Sequence, residues 1–144
     1  MRANKKGFTL IELLAVIVIL AIIALIATPV ILNIITKARI SAAENSTYGM
    51  MEATKYAYFT AIVDGKTLSM PLTVTCTETA CTYTETLAEG STGTAQTGPV
   101  SFSGTKMTAG SIVLNSEGKF DESTATVNGF ECTIAKATQR VSCK

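Results

Sequence analysis

Fifteen consecutive residues, Leu13 to Ala27, carry no polar side chain. Continued through Thr28 and Pro29 to Leu32, the apolar run reaches twenty residues. That is about the 20 a helix needs to cross a ~30 Å hydrocarbon layer. Most of the 47% hydrophobic content of the 144-residue chain sits here, in residues 8–35, so a soluble enzyme with one uniform core is not expected. Arg2, Lys5 and Lys6 precede the run with no acid among them. The positive-inside rule then places the N-terminus in the cytoplasm and the rest of the chain outside. A cleaved secretory signal fits less well, because the run is long and ends without an A-x-A-like site. No Cys directly follows the run, which argues against a lipoprotein anchor.

Charge and composition exclude further classes. The net charge is +1, but without Arg2, Lys5 and Lys6 nine bases face eleven acids. Residues 62–144 alone hold six bases and eight acids, a balance of −2. Such a surface gives little attraction for a polyanion. There is no His, which removes the commonest general base and the imidazole metal sites. No phosphate-binding or dinucleotide-binding glycine motif is present, so no catalytic residue, no cofactor and no metal is expected.

Two residues fit a plain anchor poorly. Glu12 stands at the cytoplasmic edge of the run, where a carboxylate drawn into lipid costs ~2.5 kcal/mol or more. Pro29, inside the run, cannot donate to the carbonyl of Leu25. The stretch Lys5-Lys6-Gly7-Phe8-Thr9-Leu10-Ile11-Glu12-Leu13-Leu14 has a basic leader ending in Gly, then Phe, then Glu four residues on, then an unbroken apolar helix. It resembles the class III signal of type IV prepilins and pseudopilins, and the likeness extends to about residue 45.

The resemblance implies a membrane aspartyl peptidase that cuts between Gly7 and Phe8 and methylates the new Phe8 amine. Residues 1–7 would be a leader of the short-leader branch. Glu12 would be the acidic assembly position and Pro29 the helix-breaking one. A buried carboxylate needs a cation, and the Phe8 amine of a neighbouring subunit can supply it. Glu12 would then reward entry into a fibre in one register, as buried polar groups do in coiled coils.

Beyond Pro29 a second helical face recurs at three- and four-residue steps: Ile40, Ala43, Thr47, Met50, Met51, Thr54, Ala57, Tyr58 and Ala61. Lys37, Arg39, Glu44, Glu52 and Lys55 lie mainly off it. The expected division is a leader (1–7), a membrane or fibre-core helix (8–35), an amphipathic helix (36–61) and a β-rich extracytoplasmic head (62–144). Phe8 to Ala61 would make a helix roughly 81 Å long.

The head is rich in Thr and punctuated by Gly. Strands are expected at Leu72–Cys76, Val100–Phe102, Ser111–Leu114, Lys119–Phe120, Phe130–Ile134 and Gln139–Cys143. Glu89 to Pro99 reads as a mobile polar connection. All four cysteines lie in this part, which points to disulfides. Of three connectivities, register favours one. A hairpin centred on Ala137-Thr138 sets Cys132 opposite Cys143, and one centred on Glu78-Thr79 sets Cys76 opposite Cys81. A disulfide-closed C-terminal loop is also common in type IV pilins; Cys76–Cys81 has no such general counterpart.

The fold class expected is α+β: a long N-terminal helix, its hydrophobic half protruding, packed on a small antiparallel β-sheet head as in the type IV pilin fold. The function expected is structural: a pilus subunit, anchored in the membrane before assembly and then part of an extracellular helical homo-oligomer. Such a fibre would serve adhesion, motility or DNA uptake. The resemblance further implies an assembly ATPase and a platform protein as partners. One alternative is a pseudopilin of a type II secretion system, in which Asp121, Glu122 and Asn128 could offer calcium ligands; no spaced Asp/Asn loop accompanies them, and solvated surface is the expectation. The other is a DNA-binding competence pilin using Lys136, Arg140 and Lys144, a small basic group.

Overall fold

A computed structural model describes residues 7–77, 79–87 and 93–144. Helix α1 spans Leu10–Val63 and is followed by eight strands: β1 (Leu72–Cys76), β2 (Cys81–Glu85), β3 (Thr97–Val100), β4 (Met107–Gly110), β5 (Ile112–Leu114), β6 (Ser123–Val127), β7 (Phe130–Ile134) and β8 (Val141–Cys143). The chain forms two compact units, one ending at Ala38 and the other spanning Arg39–Lys144.

In the second unit α1 buries Ala43, Thr47, Met50, Met51, Thr54, Ala57 and Ala61 on one face. Two of these are threonines, and each spends its hydroxyl locally. Thr47 donates to the carbonyl of Ala43 at 2.9 Å and Thr54 to that of Met50 at 2.8 Å, so neither brings an unsatisfied group into the core. The helix stops in a Schellman turn. Lys66 N–H donates to the Ala61 carbonyl and Gly65 N–H to that of Ile62, both at 3.0 Å, with Gly65 at φ +81°.

The head holds two four-stranded antiparallel sheets, in the orders β3-β2-β1-β5 and β4-β6-β7-β8. They share one length of chain. After β4 pairs with β6, Gly110 bends the backbone at φ +89°, and β5 continues against β1. A Cβ at Gly110 would lie 2.2 Å from the Thr124 carbonyl oxygen, so this corner admits only glycine. Leu72, Ile112, Leu114, Phe120, Val127 and Ile134 are among the side chains buried between helix and sheets.

Several strand expectations change. The third strand takes Thr97–Val100, earlier than Val100–Phe102, so the end of the Glu89–Pro99 connection is ordered β-structure against β2. The earlier part of that connection, through residue 92, lies outside the described residues, as does Glu78 at one hairpin tip. Lys119–Phe120 supplies only a single bridge, Phe120 to Leu114. Strands β4 and β6 carry weak hydrophobic signals. Of Ser123-Thr124-Ala125-Thr126-Val127, the buried residues are Ser123, Ala125 and Val127, two of them small.

The β7–β8 turn is wider than two residues, with Ala135 N–H bonded to the Arg140 carbonyl, yet it stays centred on Ala137-Thr138. Cys132 therefore faces Cys143, and the two form a disulfide. Cys76 faces Cys81 across the β1–β2 hairpin and is likewise bonded to it. Loop-closure entropy predicts that replacing Cys132 and Cys143 by Ser costs about 3 kcal/mol, against about 2 kcal/mol for Cys76 and Cys81. Denaturant midpoints of the two double variants test both the size and the order.

Glu85, buried at the end of β2, accepts the Ser69 N–H at 2.7 Å and the Gln96 N–H at 2.8 Å. The Ser69 bond first and the Gln96 bond second hold its carboxyl below the usual glutamate range. A depressed carboxylate contributes stability above its unfolded pKa and loses it as pH falls through its folded pKa. The thermal midpoint should therefore drop as pH falls from about 5 towards 3, and Glu85→Gln should flatten part of that drop.

Candidate processing and assembly motif

Gly7, Phe8 and Thr9 lie outside the helix, and α1 begins at Leu10. Thr9 N–H donates to Glu12 Oε2 at 2.9 Å, and the Thr9 hydroxyl donates to the same oxygen at 2.7 Å. Glu12 N–H in turn points at Thr9 Oγ1 at 3.3 Å. This is a capping box, in which the residue capping the helix and the one three positions later satisfy each other's exposed donors. The sequence Thr9-Leu10-Ile11-Glu12 carries its signature, S/T-x-x-E, before an apolar run. Sequence reasoning placed a charge at Glu12 but overlooked Thr9 as its partner.

The capping box has two consequences. The carboxylate that would be costly in lipid already has donors from its own chain. The Gly7–Phe8 peptide lies outside the helix, and Phe8 is 88% exposed. A Cβ at Gly7 would meet nothing within 4 Å, so packing within the described chain does not account for a glycine there.

From Leu10 to Ile35 the large apolar side chains of α1 are exposed. The helix is long and apolar enough to cross a membrane. Pro29 sits inside α1 without ending it, and the preceding Thr28 donates its hydroxyl to the Ala24 carbonyl at 2.7 Å.

In the second unit the remaining candidates are placed otherwise. Asp121 forms an ion pair with Lys136 at 2.7 Å and accepts the Asn115 amide at 3.0 Å. The Lys136 hydrogen bond first and the Asn115 bond second lower its carboxyl, while Asp121 raises Lys136. Asn128, at φ +57°, makes the β6–β7 turn with Gly129. Among the described residues no group of three or more His, Cys, Asp or Glu gathers as a metal site. Lys136 is engaged, so the basic group with Arg140 and Lys144 is weaker than its count suggests.

Residues 2–28 match the family model described as the prokaryotic N-terminal methylation motif. This motif, the class III signal peptide, is typical of type IV pilins and prepilin-like proteins. The long helix packed on antiparallel sheets is an α+β, pilin-like arrangement that accompanies the motif. The motif implies prepilin-peptidase processing and pilus-like assembly, with membrane anchoring first and extracellular assembly after. No curated protein and no solved structure matches the chain significantly.

Replacing Thr9 by Val removes the hydroxyl but keeps the N–H, and should cost the helix start about 1 kcal/mol. Amide hydrogen exchange at Glu12, measured on the full chain in micelles, should quicken several-fold.

Proposed function

We propose that this chain is a structural subunit of a type IV pilus, cut after Gly7, methylated at the new Phe8 amine and polymerised through residues 8–35. The observation that carries this reading is the exposed apolar surface of α1 from Leu10 to Ile35, with Glu12 in its first turn. Burial of an exposed Leu, Ile or Val contributes about 1.5–3 kcal/mol in water, and packing against like helices replaces lipid contact in a fibre. Cleavage leaves a cation on Phe8, directly before Thr9 and four residues before Glu12. In the fibre the Glu12 carboxylate exchanges its Thr9 donors for, or shares them with, the Phe8 amine of a neighbour, which sets the register. Pro29 leaves the Leu25 carbonyl without its usual donor, and loosening there lets subunits repack as they leave the membrane.

The roles of the other segments follow. Residues 1–7 are the leader, 36–61 the amphipathic helix and 62–144 the extracytoplasmic head. An assembly ATPase and a platform protein drive extraction, and adhesion, motility or DNA uptake are the fibre's uses. A type II secretion pseudopilin shares the N-terminal motif. The engagement of Asp121 by Lys136 and Asn115 counts against a calcium site there, and two disulfides favour a surface fibre. For DNA capture, the −2 balance of residues 62–144 is unfavourable.

Sheared surface fibres should contain a chain beginning at Phe8 and one methyl group heavier than the cut sequence. Glu12→Ala should leave membrane insertion and cleavage intact but reduce fibres at least tenfold by electron microscopy. Normal numbers of full-length fibres from that variant would end the register argument.

A further inference from the structure

The last turns of α1, with strands β2 and β3, frame a cleft of about 180 Å³ whose lining includes Tyr56, Thr60, Asp64, Lys66, Tyr83 and Pro99. Its apolar side is firmly placed. The Tyr83 side chain is buried and lies against Gly98, where a Cβ would stand 2.4 Å from the ring. Pro99 follows in the same strand. Tyr56 also lines the cleft but is 72% exposed, a large aromatic left uncovered by its own fold.

The polar side comes from the Schellman turn. Its backbone bonds and the positive φ of Gly65 bring Asp64 and Lys66 to the cleft. Among the described residues neither side chain has an ion pair or a hydrogen bond. One anion and one cation balance, so the lining presents strong acceptors and donors with no net charge. A net anion meets Asp64 and a net cation meets Lys66. A neutral ligand with one apolar face and several hydroxyls satisfies both groups, since hydrogen bonds to charged partners are the stronger kind. The volume is below the ~300–1,000 Å³ of drug-sized sites, which limits the occupant to one small ring.

We propose that this cleft binds a single neutral pyranose unit of a glycan. The sugar's C–H face lies on Tyr56, adjacent hydroxyls donate to the Asp64 carboxylate, and Lys66 donates to a ring or hydroxyl oxygen. The proposal rests on the second unit alone and stands or falls independently of fibre assembly.

The test is saturation-transfer NMR on the full chain in detergent micelles without sugar headgroups. The probes are the methyl glycosides of glucose, galactose, mannose and N-acetylglucosamine, with free L-alanine as a zwitterionic control. Transfer to at least one glycoside is expected, with a Kd of about 1 mM. Tyr56→Ala and Asp64→Asn should each weaken it at least tenfold, whereas Tyr56→Phe, which keeps the ring, should retain it. Both positions are exposed, and unchanged thermal midpoints confirm folding. No transfer to any of the four glycosides overturns the proposal. So does transfer that survives both weakening substitutions, or binding of alanine in place of the sugars.

Discussion

An apolar helix surface with no partner among the described residues governs the rest of this molecule. The exposed leucines, isoleucines and valines of Leu10–Ile35 have two stable surroundings, a lipid bilayer and other apolar helices. Everything polar near them must therefore be accounted for locally. Glu12 is held by Thr9, and Thr28 and Thr36 turn their hydroxyls back onto the carbonyls of Ala24 and Leu32. These bonds lower the cost of placing the segment in lipid while leaving one carboxylate in its first turn.

The second half of α1 solves a different problem, because it has a head to cover. Its buried face is made of small, flexible or self-bonded residues, Ala, Met and Thr, which lets the sheets approach closely. The flank of that face also closes a sheet edge. Strand β8 has a free side, and its Val141 N–H donates to Tyr48 Oη at 2.9 Å while its Cys143 N–H donates to Glu44 Oε1 at 3.2 Å. Unpaired strand edges invite association with other chains. Here two helix side chains satisfy the outward donors, and the disulfide ties the same strand to β7.

Legibility in the sequence followed the strength of the local signal. The buried face of α1 was readable because its period is 3.6 and its polar neighbours are charged. Strand β7 and the register that sets Cys132 against Cys143 were readable from a symmetric arrangement about Ala137-Thr138. Strands β4 and β6 were not, because Met107-Thr108-Ala109-Gly110 and Ser123-Thr124-Ala125-Thr126-Val127 each carry a single large apolar residue among small and hydroxyl-bearing ones. The Asn128-Gly129 turn was a missed signal, since that pair marks a two-residue hairpin. Glu44 was read as lying off the buried face, but its bond to β8 left no trace in the sequence. The capping box was written in the sequence too, as a threonine three residues before Glu12.

The sequence by itself determined the membrane-length helix, its basic flank and the processing motif, because each depends on residues close together in the chain. Only the folded chain shows that the head has two sheets, joined where Gly110 carries the backbone from β4 of the second into β5 of the first. It also decided that Glu44 and Tyr48 guard an edge strand more than ninety residues away. Such pairings depend on which backbone donors remain unmet after the sheets form. No local pattern records that count; it is settled when the chain closes on itself.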